Sequence, residues 1–540
     1  MLGTLLLSFI IAFSTWFIIQ RKRRLSFFKN LGIPGPTPSF LSGNLSELVH
    51  QGPLVICKEW LEKYGDIVGF YNGAHPFLIV KDRELIKKIQ IKDFNHFHSR
   101  GMSSGFERSH QIHKQNLANV EGDRWKRTRS LLTPAFTTSN MKKMVSLMND
   151  SANEFISVIG SMRTKHETLE CRELFERMTA DVFIRSAFGL KSHLQRLDRT
   201  KSITESLFQQ SFNVFQQFRR SWIHFLTACF PEFTPVWKLI ISYHSRHNKA
   251  PIDKVIHAIT SVVQFRRVNP ENARCDLLQL LLNAEVKAED PVNVHSLAAS
   301  DGDDNASEGN NTCLLKLVGV NNSDKRVLTN EEVVANAFSF FIAGFETTGS
   351  SLAFLSYLLA KHQDIQDRLR EEVVAVLKKD GDFTYDNFSS MNYMDQVMSE
   401  SIRLFTPIIG FLTRRCAADY IHKGIVIPAG TSILIPNLLM SRDPAFWKEP
   451  EKFDPERFSP ENKAQIDPSV YQPFGQGPRN CVGMRFAQLE MKLTMAKLLA
   501  KYKLFLDDRH IKEKDLELES TFNMAFPKFG GIWLKVEELL

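Results

Sequence analysis

Residues 474–483 read FGQGPRNCVG, so that one cysteine, Cys481, follows Arg479 and lies among three glycines. The next residues, MRFAQLEMKLTMAKLLA, carry apolar side chains at helical spacing and predict a helix after Gly483. Glycines let the backbone turn tightly around the sulfur, and the helix N-terminus offers N–H groups that favour a thiolate over a thiol. Because a thiolate is an axial ligand that promotes O–O cleavage on haem iron, the pattern predicts a haem-thiolate site.

Two other interpretations of this segment explain less of it. A buried cysteine that acts only as a small apolar residue leaves the glycines and Arg479 without a purpose. A dinucleotide-binding loop of the GxGxxG type would need a third glycine where Asn480 stands, and no strand-turn-helix followed by an acid is evident.

A second motif, AGFETT at residues 343–348, lies in a long apolar segment that starts with a capping box from Thr329 to Glu332. Ala343 and Thr347 are one helical turn apart, and small residues there would let a flat cofactor approach the backbone. The Thr347 hydroxyl could exchange its bond to the carbonyl one turn back for a bond to oxygen. Glu346 would be costly to bury unpaired, which makes it a candidate for a proton relay. A kinked core helix is the alternative.

A third pattern joins two charged segments near the C-terminus. Glu400 and Arg403 stand at i and i+3 on a predicted helix, and the segment DPERF adds Arg457. Alone, such a pair is usually exposed and contributes a few tenths of a kcal/mol.

Together these motifs resemble the cytochrome P450 superfamily, the haem-thiolate monooxygenases, over essentially the whole chain. The resemblance is closest to animal microsomal, drug-metabolising members of the family-three type and to their thromboxane synthase relatives. It implies a mainly α fold with minor β structure, and haem b bound by Cys481 within a loop that includes Phe474, Gly477 and Gly483. It also implies that Thr347 and Glu346 deliver protons during oxygen activation beside Ala343.

The same resemblance makes Glu400, Arg403 and Arg457 a buried network that supports the cysteine loop. Haem carries two propionates, which bind arginine forks or an indole N–H. Trp125 and Arg129 stand at i and i+4, and the resemblance adds further propionate ligands, so that the expected set is Trp125, Arg129, Arg414, Arg479 and Arg100. The neighbouring Arg415 leaves the choice between it and Arg414 open.

The N-terminus predicts a membrane anchor. No charged residue occurs from Leu2 to Gln20, and Arg21, Lys22, Arg23 and Arg24 follow at once. Nineteen residues of helix span about 28 Å, close to the hydrocarbon thickness of a bilayer. Because the charges follow the apolar run, we expect a retained signal anchor with the rest of the chain in the cytosol, the alternative being a buried helix. The resemblance implies the endoplasmic reticulum membrane.

The remaining organisation follows from turn and periodicity patterns. We expect an anchor over 1–24, a proline-rich connector over 25–45 and one catalytic domain over 46–540, with a disordered surface insertion at 297–312. Asn72-Gly73 predicts a hairpin within residues 67–80, and a second strand pair is expected around Pro428-Ala-Gly430. Residues 124–290 and 329–405 are predicted to be mostly helical.

Composition limits the classes of partner. The chain has 540 residues, 68 Lys and Arg against 60 Asp and Glu, and a net charge of +8, which favours anionic membranes or acidic proteins, while nothing supports nucleic acid. Its seven cysteines include no CxxC pair, which argues against a disulfide framework or a zinc module. The 42 Phe against 9 Tyr and 7 Trp suit an apolar pocket.

No flavin or nicotinamide motif is found, so electrons are expected from outside. The resemblance implies an NADPH-cytochrome P450 reductase, with cytochrome b5 as a second candidate donor. It also implies a lipophilic substrate that contacts four variable segments, namely residues 100–122, 207–240, 408–412 and 521–527. The Phe- and Trp-rich segment 207–240 fits a substrate entrance, a membrane-surface contact or amphipathic core helices. A haem-thiolate isomerase is the alternative function, and a non-enzymatic haem sensor or scaffold is third.

Overall fold

The computed structural model describes most of the chain, over residues 2–101, 111–164, 168–196, 204–211, 222–247, 251–269, 276–284, 328–410, 412–511, 515–521, 524–528 and 531–539. The insertion expected at 297–312 lies outside these residues.

Helices make up most of the described structure, as predicted. The α-helices with assigned bounds are α1 (Leu2–Leu25), α2 (Phe27–Asn30), α3 (Leu45–Gln51), α4 (Pro53–Tyr64), α5 (Arg83–Lys87), α6 (Gly122–Leu132), α7 (Thr138–Thr164), α8 (Cys171–Phe188), α9 (Trp222–Cys229), α10 (Thr234–His247), α11 (Pro251–Val268), α12 (Leu277–Asn283), α13 (Asn330–Lys361), α14 (Gln363–Asp380), α15 (Asn392–Leu404), α16 (Asn437–Ser441), α17 (Pro460–Lys463), α18 (Met484–Lys501) and α19 (Asp508–Ile511). Residues 204–211 are also helical.

Short π and 3-10 helices join several of these elements. They are one π-helix (Lys88–Lys92) and the 3-10 helices Phe94–His96, Gln111–Lys114, Thr133–Phe136, Pro231–Phe233, Asn387–Ser390, Pro455–Phe458 and Gly477–Arg479. The strands are β1 (Ile67–Asn72), β2 (His75–Val80), β3 (Leu169–Glu170), β4 (Thr413–Arg415), β5 (Tyr420–His422), β6 (Ile425–Ile427), β7 (Ser432–Leu434), β8 (Tyr502–Leu506), β9 (Leu518–Ser520), β10 (Ala525–Pro527) and β11 (Trp533–Glu538).

The long helix α13 lies at the centre of the fold. Its predicted capping box is present, because the Thr329 hydroxyl accepts from the Glu332 N–H at 3.2 Å and the Glu332 carboxylate accepts from the Thr329 N–H at 2.9 Å. Arg124 and Arg127 of α6 bind the same carboxylate. Most of α13 is apolar and buried, and it packs chiefly along α8. Burial on nearly all sides explains why its hydrophobic residues are not confined to one face.

The largest sheet has the strand order β1-β2-β7-β4 and carries the predicted hairpin. Asn72 pairs with His75, so the two-residue loop is Gly73-Ala74, one position later than the Asn72-Gly73 turn predicted from sequence. Gly73 has a φ of +67°, the left-handed conformation that glycine adopts without strain.

The predicted strand pair around Pro428-Ala-Gly430 is wrong in its pairing. Strands β6 and β7 do flank the turn, but β6 pairs with β5 and β7 pairs with β2 and β4. Two smaller sheets, β3-β11-β8 and β9-β10, complete the β structure of the described chain.

Within the part of the chain that the structure describes, two helices are long and apolar enough to cross a membrane. None of the most apolar window of the N-terminal one, Gly3–Leu25, is buried, whereas 67% of the window in Asn330–Lys361 is buried. The second is therefore the core helix α13, and the first is the candidate anchor. The unburied apolar helix at the N-terminus agrees with a membrane-anchored protein.

Candidate functional site

The loop before α18 is held in one conformation by its own backbone and by the π-helix. The Cys481 N–H donates to the Phe474 carbonyl at 2.8 Å, which closes the loop. Gly477 has a φ of +68°, and a Cβ atom there would lie 2.0 Å from the Gln90 carbonyl oxygen. No other residue fits that position. At Gly483 the nearest atom to a Cβ would be 4.0 Å away, on Phe136, so the described chain itself does not require glycine there.

Two arginines fix the loop to the preceding segments. Arg129 donates from Nη1 to the Asn480 carbonyl at 2.9 Å and from Nη2 to the Asn480 Oδ1 at 2.8 Å. Arg479 donates to four backbone carbonyls, those of His98, Leu117, Ala118 and Val120. The Trp125 ring lies 4.5 Å from the Arg479 guanidinium carbon. In this arrangement Arg479 connects the backbone at His98 with that of residues 117–120, a role that its sequence position did not indicate.

Cys481 differs from the other cysteines that the structure describes. Cys57, Cys171, Cys229 and Cys416 are buried, whereas Cys481 is exposed. Burial of Cys57 raises its thiol pKa to about 12, a value typical of inert structural cysteines.

The backbone N–H of Gly483 lowers the pKa of the Cys481 thiol, the direction expected from the sequence, and the charges of Arg129 and Arg100 act in the same direction. Although Cys481 is accessible, the protein packed around it removes solvation from the sulfur, and this larger effect raises the pKa of the thiol. A metal ion bound to the sulfur deprotonates the thiol outright. The protein groups around Cys481 are therefore one of two influences on its protonation, and the metal is the other.

Residue Leu117 joins the cysteine loop to α13. Its N–H donates to Asn336 Oδ1 of α13 at 2.8 Å, and its carbonyl accepts from Arg479 Nη1 at 3.2 Å. Phe136 bridges the same two elements, because its ring lies 6.0 Å from that of Phe340 and also borders Gly483. The cysteine loop is therefore connected to α13, the helix that carries the second motif.

Within α13, Ala343 is exposed although its neighbours Phe341 and Phe345 are buried. The Thr347 hydroxyl donates to the Ala343 carbonyl at 2.8 Å, the bond that the sequence predicted. Ser351 in turn donates to the Thr347 carbonyl at 2.8 Å. The hydroxyl and a small side chain thus stand on an accessible face of an otherwise buried helix.

Glu346 lies beside Thr347 in the chain but is 2% exposed. Its Oε1 is 3.5 Å from Arg172 Nη2 of α8, and its Oε2 has no hydrogen-bond partner in the described ranges. Burial, followed by repulsion from Glu176, raises the pKa of Glu346 well above its ordinary value, while Arg172 lowers it. The protonated, neutral form of this carboxyl group is therefore favoured more than in an exposed glutamate.

Four arginines converge near Cys481 and repel one another. Burial and the charge of Arg414 lower the pKa of Arg479 to about 9, and burial followed by the charges of Arg414 and Arg479 lowers the pKa of Arg100. Arg414 is 1% exposed, and its Nε and Nη2 have no hydrogen-bond partner within the described chain. Buried guanidinium groups in this state need an anion. The cluster of Arg100, Arg129, Arg414 and Arg479 fits the two propionate groups of haem.

The sequence left open whether Arg414 or Arg415 has this role. Arg415 points outward and pairs with the exposed Glu121 at 3.4 Å. Burial and unused donors favour Arg414.

The third motif forms a buried network. Arg403 donates from Nε and Nη2 to both oxygens of Glu400, at 2.7 and 2.8 Å, and from Nη1 to the Ser441 carbonyl. Arg457 Nε lies 3.3 Å from Glu400 Oε1. Glu400 and Arg403 are fully buried. Tyr471, three residues before Phe474, donates its hydroxyl to the backbone carbonyl of Ser399 in α15, which couples this network to the cysteine loop.

Sequence analysis did not single out Arg172 and Glu176, which surround Glu346. They stand at i and i+4 on α8, a spacing that occurs on many exposed helices. The local sequence gives one indication of buried charge here. At the start of α8, Glu173 precedes two apolar residues and Glu176 and Arg177 follow them.

The comparisons with known proteins agree with this geometry. The family model for cytochrome P450 matches residues 33–528. Cytochrome P450 3A29 of Sus scrofa is 31% identical over 92% of this chain and 89% of its own length. Cytochrome P450 3A12 of Canis lupus familiaris is 31% identical over 94% of this chain and 92% of its own, and cytochrome P450 3A6 of Oryctolagus cuniculus is 30% identical over 88% and 86%. This family implies haem with cysteine thiolate ligation, and its 3A members confirm the expected family-three relation. The chain therefore belongs to the cytochrome P450 family, as a monooxygenase similar to the 3A relatives.

Proposed function

We propose that this enzyme inserts one oxygen atom from dioxygen into lipophilic small molecules, such as xenobiotics, steroids or other lipids, with electrons derived from NADPH. The observation that carries the proposal is the joining of the Cys481 loop to the face of α13 that exposes Ala343 and Thr347. Leu117 makes this connection, with one hydrogen bond to each element.

Haem b would be held by the Cys481 thiolate, with Phe474, Gly477 and Gly483 shaping the loop. Arg414, Arg100, Arg129 and Trp125 are the candidates to face the propionates, whereas Arg479 binds mainly the backbone carbonyls of His98 and of residues 117–120. When bound, haem with a thiolate ligand supplies activation of dioxygen and cleavage of the O–O bond.

The protein residues around the cofactor control protons and water. The Thr347 hydroxyl can release the Ala343 carbonyl and donate to oxygen instead. Glu346 holds the next proton, because its burial favours the neutral form. Phe345, two residues before Thr347, is buried with its ring 5.6 Å from that of Phe208, so this turn of α13 has apolar surroundings.

Helix α1 and the described residues 222–240 support a position on a membrane surface. Ring contacts join the two, since Phe13 lies 6.2 Å from Phe233 and Phe17 lies 6.5 Å from Phe230. Trp222 and Leu239 are exposed in the same residues. These observations favour membrane-surface contact for this part of segment 207–240.

We further propose that the protein spans the endoplasmic reticulum membrane once, with its catalytic domain in the cytosol. Its net charge of +8 suits docking of an acidic NADPH-cytochrome P450 reductase, and cytochrome b5 is a second candidate donor.

The test is the absorption spectrum of the reduced, haem-loaded enzyme with carbon monoxide. We expect the strongly red-shifted band of a thiolate adduct, and we expect Cys481→Ser to lose it because a hydroxyl is a far weaker donor to iron. Cys57→Ser is the matched control, since Cys57 is buried on α4 in a core cluster that contains no residue of the Cys481 loop. A histidine-type band in the unaltered enzyme would contradict the proposal. Turnover without consumption of NADPH and dioxygen would instead indicate an isomerase.

A further inference from the structure

Glu346 shares its arginine with a second buried carboxyl group. Arg172 Nε donates to Glu176 Oε1 at 2.7 Å, while Arg172 Nη2 lies 3.5 Å from Glu346 Oε1. Glu176 and Glu346 are each 2% exposed, on α8 and α13 respectively. One guanidinium thus faces two carboxyl groups, and it lies closer to Glu176.

The sequence of both helices makes this approach possible. A Cβ atom at Gly349 would lie 2.8 Å from Glu176 Cα and 2.9 Å from Glu176 Cγ, so only glycine lets α8 come this near. The Thr179 hydroxyl donates to the Phe345 carbonyl at 2.8 Å, one residue before Glu346. The contact between the helices is therefore fixed on both sides of Glu346.

The charges around the pair do not balance if both carboxyl groups are ionised. The groups that face the pair are Arg172 of α8 and two acids at the start of that helix, Glu170 and Glu173. The negative charges of both acids raise the pKa of Glu176. Glu170 accepts hydrogen bonds from the Arg172, Glu173 and Ile532 N–H groups. Phe526 of β10 covers Arg172 at 4.5 Å and adds no charge. Glu173 is partly exposed and is itself paired with Arg177, so within the described residues Arg172 is the cation that faces both buried carboxyl groups, Glu176 and Glu346.

We infer that Glu176 and Glu346 share one proton, which Glu346 carries because the Glu176 carboxylate takes the short bond to Arg172. Glu176 is then a positioning residue that acts through Glu346 and keeps it ready to give a proton. This inference rests on the proposed function for Glu346. Burial raises the pKa of Glu176 to about 7 and that of Glu346 well above its ordinary value, in agreement with one retained proton.

Two substitutions with opposite expected effects test the inference in the haem-loaded enzyme with its reductase. Glu176→Gln removes the competing charge, so Arg172 stabilises ionised Glu346. We expect the pH above which product formed per NADPH declines to fall by about one unit or more. Arg172→Met leaves both acids without a cation, so the same midpoint is expected to rise. Glu331→Gln is the matched control, since Glu331 is exposed in the first turn of α13, and it should leave the midpoint unchanged.

A second readout does not depend on turnover. Infrared absorption of protonated carboxyl groups at pH 7 should lose one C=O band in Glu346→Gln, and the same band should weaken in Glu176→Gln. Glu490, whose oxygens are buried without a hydrogen-bond partner in the described chain, should contribute a band that all variants keep. The inference is wrong if Glu176→Gln leaves both the band and the pH midpoint unchanged, or if both substitutions shift the midpoint the same way. Failure of the proposed function would appear separately, as absent NADPH coupling in the unaltered enzyme with the infrared result intact.

Discussion

A buried guanidinium has five N–H donors to satisfy, and the arginines near Cys481 do so in different ways. Arg479 directs its nitrogens to backbone carbonyls, and Arg129 directs two of its nitrogens to Asn480. Arg414 donates only to the carbonyl of its own neighbour, Thr413, and keeps Nε and Nη2 unpaired in the described structure. Arg414 is thus the residue that gains most from a bound anion.

We therefore expect Arg414→Leu to weaken haem retention at least tenfold. The substitution removes a buried charge that the propionates would neutralise, and charge-assisted hydrogen bonds of this kind contribute ~1.5–3 kcal/mol each. The measurement is the rate at which haem passes from the purified enzyme to excess apomyoglobin. Arg415→Leu is the control, because Arg415 pairs with Glu121 near the surface. Equal rates for the two variants would show that Arg414 is not a propionate ligand.

These arginines also show which features of the site can be predicted from the sequence and which cannot. The Cys481 loop is identifiable because glycine, arginine and cysteine stand at fixed short spacings. The partner of an arginine is set by carbonyls that lie hundreds of residues away, such as that of Val120 for Arg479. No local pattern contains this information, and for the same reason the interaction of Glu346 with Glu176 was not predicted.

At the scale of elements, local patterns were reliable where the physical cause is local. The capping box at Thr329 and the hairpin at residues 67–80 depend on neighbours within a few residues, and both are present. The strands around Pro428-Ala-Gly430 were found but assigned the wrong partners, because β7 pairs in parallel with β2, more than 350 residues earlier. Parallel pairing leaves no turn signature in the sequence.

The Glu400–Arg403 pair on α15 gives a prediction at this scale. We expect Arg403→Leu to lower the free energy of unfolding by ~3–5 kcal/mol, because it strands the buried Glu400 carboxylate. Denaturant titration of the haem-loaded enzyme in detergent measures the change. Lys58→Leu is the control on α4, since its pair with Glu62 is exposed and should contribute less than ~1 kcal/mol. A similar loss in both variants would place Arg403 outside any buried network.

At the scale of the whole molecule, one of the basic residues that follow the apolar run joins the N-terminal helix to the globular part. Arg21 is fully buried and donates to three carbonyls, those of Phe40 at 2.8 Å, Leu41 at 2.6 Å and Cys229 at 2.6 Å. Arg24 pairs with Glu232 at 2.6 Å. The basic residues after the apolar run therefore do more than mark the membrane boundary, because they tie α1 to two separate segments.

We expect Arg21→Leu to loosen this connection while leaving the haem spectrum unchanged. The substitution removes the charged hydrogen-bond donor of three carbonyls. A protease added to vesicle-bound enzyme should therefore cleave the expected connector, residues 25–45, at least about tenfold faster. Loss of even one hydrogen bond to a charged group is enough for a change of this size. Arg23→Leu is the matched control, because Arg23 is exposed and the change in net charge is identical. If both variants are cleaved at the same rate, charge alone anchors the helix. Faster cleavage of Arg21→Leu only would show that buried hydrogen bonds set how the catalytic domain is held on the membrane.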